Sequence, residues 1–169
     1  LPQGQYVEAL IADLESGLPQ IWGRPVSSIF IGGGTPSLFM PEAFDTLLAA
    51  IRARVSLLPD AEITLEANPD DITPEKLKQW KAMGVNRLSI GVQSFFEEDL
   101  RWMNRAHTAE EAERCITLSL AENFEVSVDL IFGLPGSSQE KWASNLEKVN
   151  ALGVQHLSCY GLTLEDRKS

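Results

Sequence analysis

The chain has 169 residues, 44% of them apolar and 22% charged, the composition of one ordinary globular domain long enough to bury a core. Lys and Arg total 14 against 24 Asp and Glu, and the resulting net charge of −10 repels a phosphate backbone and argues against general nucleic-acid binding. No apolar run reaches the ~20 residues that span a bilayer, and Glu8, Asp13 and Glu15 break any signal-peptide pattern, so the expectation is a cytoplasmic domain without a transmembrane segment.

The chain opens on Leu1-Pro-Gln-Gly without an initiating Met, and a helix-like stretch follows. It is therefore expected to be a piece of a longer protein. Five strand-like runs come next, Val26–Ile31, Glu62–Ala67, Asn86–Val92, Val126–Phe132 and Gln155–Tyr160, separated by helix-length gaps. Alternation of strand and helix predicts a parallel sheet. Met40-Pro41-Glu42 and Thr73-Pro74-Glu75 each put Pro at a first helical position. Thr108-x-x-Glu111 and Ser137-x-x-Glu140 read as capping boxes that satisfy orphaned backbone donors. In the last helix Trp142, Leu146, Val149 and Leu152 fall on one stripe, which reads as core packing.

The two faces of the strands differ, because side chains alternate along a strand. One face carries Ile29, Ile31, Ile63, Leu65, Ala67, Leu88, Ile90, Val92, Val126, Val128, Leu130, Phe132, Leu157 and Cys159, and calls for helices over it. The other carries Thr64, Glu66, Ser89, Gly91, Gln93, Ser127, Asp129, Ile131, His156, Ser158 and Tyr160. A tightly packed parallel barrel fills its interior with Val, Ile and Leu. A polar interior must instead be paired, solvated or occupied by a ligand. The reading is a ligand-filled barrel or half-barrel.

Gly32-Gly33-Gly34-Thr35-Pro36 follows the first strand, and three glycines let a ligand approach the main chain closely. Neither the dinucleotide fingerprint nor the lysine-bearing phosphate loop is met. Glu66, Gln93 and Asp129 sit late in their strands on the polar face, so they should converge at the mouth where parallel α/β sheets place their sites. The alternative is that Arg87 and Arg105 neutralise the two carboxylates as internal salt bridges. Arg105, in Asn104-Arg105-Ala106-His107, is also suited to hold a carboxylate or phosphate with its planar donor fork. His107 and His156 read as structural or surface residues. Phe132-Gly133-Leu134-Pro135-Gly136 reads as a turn feeding the last helix. Cys115 and Cys159 read as buried thiols, and the pair makes neither a disulfide framework nor a zinc pattern.

The ordered set Ile29–Ser37, Ile63–Pro69, Asn86–Phe95, Asn104–His107, Asp129–Gly136 and Leu157–Glu165 resembles the oxygen-independent coproporphyrinogen III oxidases and their heme-chaperone relatives, which are radical S-adenosylmethionine proteins. The resemblance covers nearly the whole chain. It implies an α/β fold, a parallel-sheet partial TIM-type barrel of about five βα units from a (β/α)6 core. It also implies S-adenosylmethionine at the mouth, with Gly33, Gly34 and Thr35 receiving the methionine part. Glu66, Gln93, Arg105 and Asp129 match polar cofactor-binding positions, and Thr163 falls at a further one.

The family holds a [4Fe-4S] cluster on C-x-x-x-C-x-x-C, upstream of the glycines, and no such motif is present here. Residues 1–169 are thus expected to be one core domain lacking its first strand and cluster loop. The piece alone is expected to be redox-inactive and to self-associate along the edge exposed at Val26–Ile31. Phe30-Ile31, Ala67-Asn68-Pro69, Gln93-Ser94-Phe95, Arg105-x-His107 and Tyr160-x-Leu162-Thr163-x-Glu165 resemble the heme-chaperone branch, which implies binding heme and delivering it to a client hemoprotein. The alternative is the oxidase, which decarboxylates two propionates of coproporphyrinogen III to give protoporphyrinogen IX. A radical enzyme modifying tRNA is a remote alternative that the −10 charge opposes.

Overall fold

The computed structural model describes residues 2–164. Five strands, β1 (Pro25–Ile31), β2 (Ser56–Ala67), β3 (Arg87–Gln93), β4 (Glu125–Phe132) and β5 (His156–Gly161), form one sheet in the order β1-β2-β3-β4-β5. Every pairing is parallel, and the sheet curls into a half-barrel. The helices are α1 (Gln3–Gly17), α2 (Pro41–Arg54), α3 (Pro74–Met83), the short α4 (Glu97–Trp102), α5 (Ala109–Ala121) and α6 (Gln139–Ala151). No helix among the described residues is long and apolar enough to cross a membrane.

The apolar face behaves as alternation predicts. Ile63, Leu65, Leu88, Ile90, Val92, Val126, Val128 and Leu130 are buried there with Leu48 of α2, Leu77 and Trp80 of α3, and Ile116 of α5. Val149 of α6 joins this core, and Trp142, Leu146 and Leu152 pack against it half-buried. Removing a buried leucine from such a core costs roughly 2–5 kcal/mol. Cys115 is buried in α5, its thiol donating to Ala112 O at 3.1 Å. Burial pushes that thiol up to about 12, so it stays protonated at neutral pH.

Cys159 corrects the sequence reading, for it is exposed. It lies on β5, the edge strand beside β4, and Leu157 two residues before it is likewise exposed. Strand β2 is also longer than expected. β1 advances from Val26 to Ser28 while β2 advances from Leu57 to Glu62, so the residues around Pro59 bulge from the ladder. Pro59 lacks an N–H to donate, which is why the stretch reads as a break in the sequence.

The caps hold with one shift. Thr108 accepts from Glu111 N as its capping box predicts, Pro41 and Pro74 open α2 and α3, and Thr73 also accepts from Lys76 N. At α6 the cap is Ser138, whose hydroxyl accepts from Lys141 N at 3.1 Å, rather than Ser137. Ser137 is instead used one step earlier, its N–H closing the turn onto Leu134 O.

Candidate functional site

The glycine loop after β1 is built on backbone that most residues avoid, with φ of 84° at Gly33 and 65° at Gly34. Its N–H at Gly33 donates to Glu66 Oε2 at 2.9 Å, tying the loop to the end of β2. Behind it, the buried Ser37 donates to Asp71 Oδ2 at 2.8 Å and its carbonyl accepts from Lys76. Gln3 of α1 accepts from Met40 N at 2.8 Å. The loop is thereby held from both sides without covering the mouth.

Gly34, Thr35, Glu66, Gln93 and Asp129 line one cleft of about 160 Å³ at this mouth, together with Pro36, Ser37, Ala67, Asn68, Ser89 and Gly91. Arg105 reaches its wall from the loop after α4, its Nη2 donating to Gly91 O at 3.3 Å and Asn68 Oδ1 at 3.5 Å. Of the sequence-predicted set, Gly34, Thr35, Glu66, Gln93 and Asp129 thus meet in the cleft and Arg105 stands at its wall, while Gly33 touches it only through its bond to Glu66. Thr163 is exposed beyond β5 and does not line the cleft, and Glu165 lies outside the described residues.

The salt-bridge alternative is not what the geometry shows. Arg87 donates to Thr64 Oγ1 at 3.3 Å and stands 3.9 Å from Glu62, while Arg105 is spent on Gly91 and Asn68. Among the described residues neither Glu66 nor Asp129 forms an ion pair. Burial raises the Asp129 carboxyl above the usual range, the Glu66 carboxylate adds to that, and Arg87 works against it. Two carboxylates facing one open cleft favour a ligand that brings hydrogen-bond donors or positive charge.

Two contributors carried no site role in the sequence reading, although Gly91 stood on the polar face. Asn68 lines the cleft and accepts from Arg105, and at Gly91 on β3 three side chains meet. A Cβ at Gly91 would lie 3.2 Å from Gln93 Nε2, 3.4 Å from Arg105 Nη2 and 3.6 Å from Asn68 Oδ1. A glycine inside a strand pattern is a recognised sign of close approach and was available as a signal. His107 is buried as a structural residue, its Nε2–H donating to Val92 O at 2.9 Å. His156 is exposed at the far end of β5.

The fold and site define a parallel α/β half-barrel with a polar cleft beside a glycine-rich loop at its strand ends. The sequence pattern of the Radical SAM superfamily matches residues 3–149, and the chain belongs to that superfamily. It is 43% identical over 166 residues to the heme chaperone HemW of Escherichia coli (strain K12), covering 98% of this chain and 44% of that protein. It is 44% identical over 164 residues to the mitochondrial radical S-adenosyl methionine domain-containing protein 1 of Mus musculus, covering 96% of this chain and 37% of that one. Among solved structures it is similar to coproporphyrinogen III oxidase (HemN) from Escherichia coli, a radical SAM enzyme, with a TM-score of 0.85 and 33% identity over 95% of this chain and 37% of that chain. The chain spans less than half the length of these relatives.

The superfamily implies S-adenosylmethionine and an iron–sulfur cluster in general, and the two fit this chain differently. The cleft offers flexible glycine backbone, two carboxylates, two amide side chains and a guanidinium, a donor and acceptor set suited to an amino acid joined to a nucleoside. The cluster does not fit. The sequence has two cysteines, one buried in α5 and one on the outer face of β5, and no group of three metal-ligating side chains exists among the described residues.

Proposed function

We propose that this chain is the S-adenosylmethionine-binding core of a heme chaperone, a protein that binds heme and delivers it to a client hemoprotein in the cytoplasm. Residues 1–169 act in it as one domain, and the cluster is held by cysteines outside this sequence. The observation that carries the reading is the 43% identity to a heme chaperone over 98% of the chain, against 33% to the coproporphyrinogen oxidase.

Position 94 supports the same branch. The oxidase pattern places Asp after the glutamine of this motif, whereas here Ser94 is fully buried with its Oγ 2.7 Å from Asp99 Oδ2. A second carboxylate there would face the first in a low-dielectric pocket, an arrangement that costs both charges.

When bound, S-adenosylmethionine supplies the radical chemistry from which the superfamily takes its name. This chain's residues hold it. Gly33, Gly34 and Thr35 present backbone to its amino-acid end, and Arg105, whose Nη2 is taken by Gly91 and Asn68, offers its remaining N–H groups to a carboxylate. Glu66 and Asp129 accept from its donors, while Gln93 and Asn68 do either. Where the chain stands alone, the free edge of β1, with Phe30 exposed, pairs with a second copy; light scattering against concentration reads this out.

The test uses the intact, cluster-loaded protein without oxygen, given S-adenosylmethionine, a low-potential reductant and coproporphyrinogen III, with products followed by chromatography. The expected result is no protoporphyrinogen IX, together with a saturable heme Soret band and transfer of heme to an apo-hemoprotein. Formation of protoporphyrinogen IX identifies the decarboxylating oxidase and overturns the proposal.

A further inference from the structure

Gln93 stands in a conformation that its sequence alone does not favour. It is one of three non-glycine residues with positive φ among those described, at 70°. Ser94 N donates to Val92 O at 2.9 Å, which makes Gln93 the centre of a γ-turn of the rare, strained kind. The ladder slips at the same place, since β3 advances from Ile90 to Gln93 while β4 advances from Val128 to Leu130. Bulges of this sort re-aim a side chain beside a site, and Gln93 lines the cleft.

Strain persists where the surroundings over-determine it, and the residues that do so lie behind the sheet, away from the cleft. The buried Asn145 of α6 accepts from Phe95 N at 3.0 Å and donates to Ser94 Oγ at 3.2 Å. Ser94 Oγ also accepts from Phe96 N at 3.1 Å and donates to Asp99 Oδ2 at 2.7 Å, so the hydroxyl is saturated. Lys141 Nζ closes the network at 3.0 Å from Asp99 Oδ1 and 4.9 Å from the Phe96 ring centroid. On the other side His107 takes the second lone pair of Val92 O, and Arg105 takes Gly91 O. The turn after Gln93 is thus anchored from α4, from α6 and from the loop before α5.

We infer that Asn145, acting with Ser94, Asp99 and Lys141, is a positioning group that holds Gln93 in its strained conformation so that its amide faces the cofactor cleft. The inference rests on the proposed cofactor site. Asn145 touches the turn and not the cleft, and its effect on ligand binding passes through Gln93.

The experiment is a double-mutant cycle on the affinity of the intact, cluster-loaded protein for S-adenosylmethionine, measured by calorimetry beside thermal unfolding. Gln93→Ala and Asn145→Ala are each expected to weaken binding about tenfold, and the double variant also about tenfold, because both remove one interaction. Losses that multiply to about a hundredfold overturn the inference, since they mean the two residues act independently. Wild-type affinity in Asn145→Ala beside a weakened Gln93→Ala overturns it too, and leaves the cofactor site standing. Wild-type affinity in both overturns the cofactor role of Gln93 as well. If Asn145→Ala does not fold, Lys141→Gln gives the same readout with a loss of about threefold that vanishes in the Gln93→Ala background; a loss that survives there overturns the inference.

Discussion

The Glu66 carboxylate accepts the Gly33 amide at 2.9 Å, so the acid at the end of one strand shapes the loop that follows its neighbour. Gly32 makes room for this contact. A Cβ there would lie 2.5 Å from the Phe30 ring and 2.9 Å from the Glu66 carboxyl, both movable side-chain ends.

Gly32→Ala is therefore expected to displace Glu66 while sparing the fold. S-adenosylmethionine binding should fall about tenfold, with the unfolding free energy changed by less than about 1 kcal/mol. Calorimetric titration and thermal unfolding of the same preparation check both halves. Equal loss of affinity and stability would show that the glycine serves the fold instead.

His107 sets an acid limit on stability. Burial lowers its pKa below 6.5, the hydrogen bond to Val92 partly opposes that, and Arg105 lowers it further. The unfolded chain thus binds this proton more readily than the folded one. Stability is full above about 6.5 and is lost as pH falls from there through the folded value. His107→Gln keeps an N–H for Val92 O and has no proton to gain. The drop in urea midpoint between about pH 7.5 and pH 5.5 should be smaller in the variant than in the wild type.

Asp129 works with the opposite sign. Its raised pKa means that ionisation costs the folded state, and the cost disappears as pH falls through the folded value. Asp129→Asn should be more stable than wild type at neutral pH, the advantage fading in acid. Its affinity for S-adenosylmethionine should drop about tenfold, because functional carboxylates are often held at the expense of stability. Denaturation series at both pH values and one binding isotherm suffice to check this.

The outer face of the sheet was legible in the sequence because burial there obeys the strand period, from Ile63 to Leu130. The converging acids, Glu66 and Asp129, followed from the same parity. What escaped depends on encounters between distant segments. Asn145 meets Phe95 across 50 residues, and no local pattern announces that a polar helix residue turns inward to a backbone amide. Cys159 failed for the complementary reason, since alternation gives a side and not whether anything covers it. Pro59 masked the first part of β2 because strands read from propensity end where a donor is missing.

The strand order β1-β2-β3-β4-β5 has a consequence for synthesis. Each strand pairs with the one made just before it, so the sheet can be assembled in step with translation, one βα unit at a time. The cleft is then furnished in the same sequence, from the glycine loop to Glu66, Gln93 and Asp129. Asn145 emerges after all of them. A nascent chain would own every wall of the pocket before it owned the latch on Gln93, and ligand capture would be the last competence acquired.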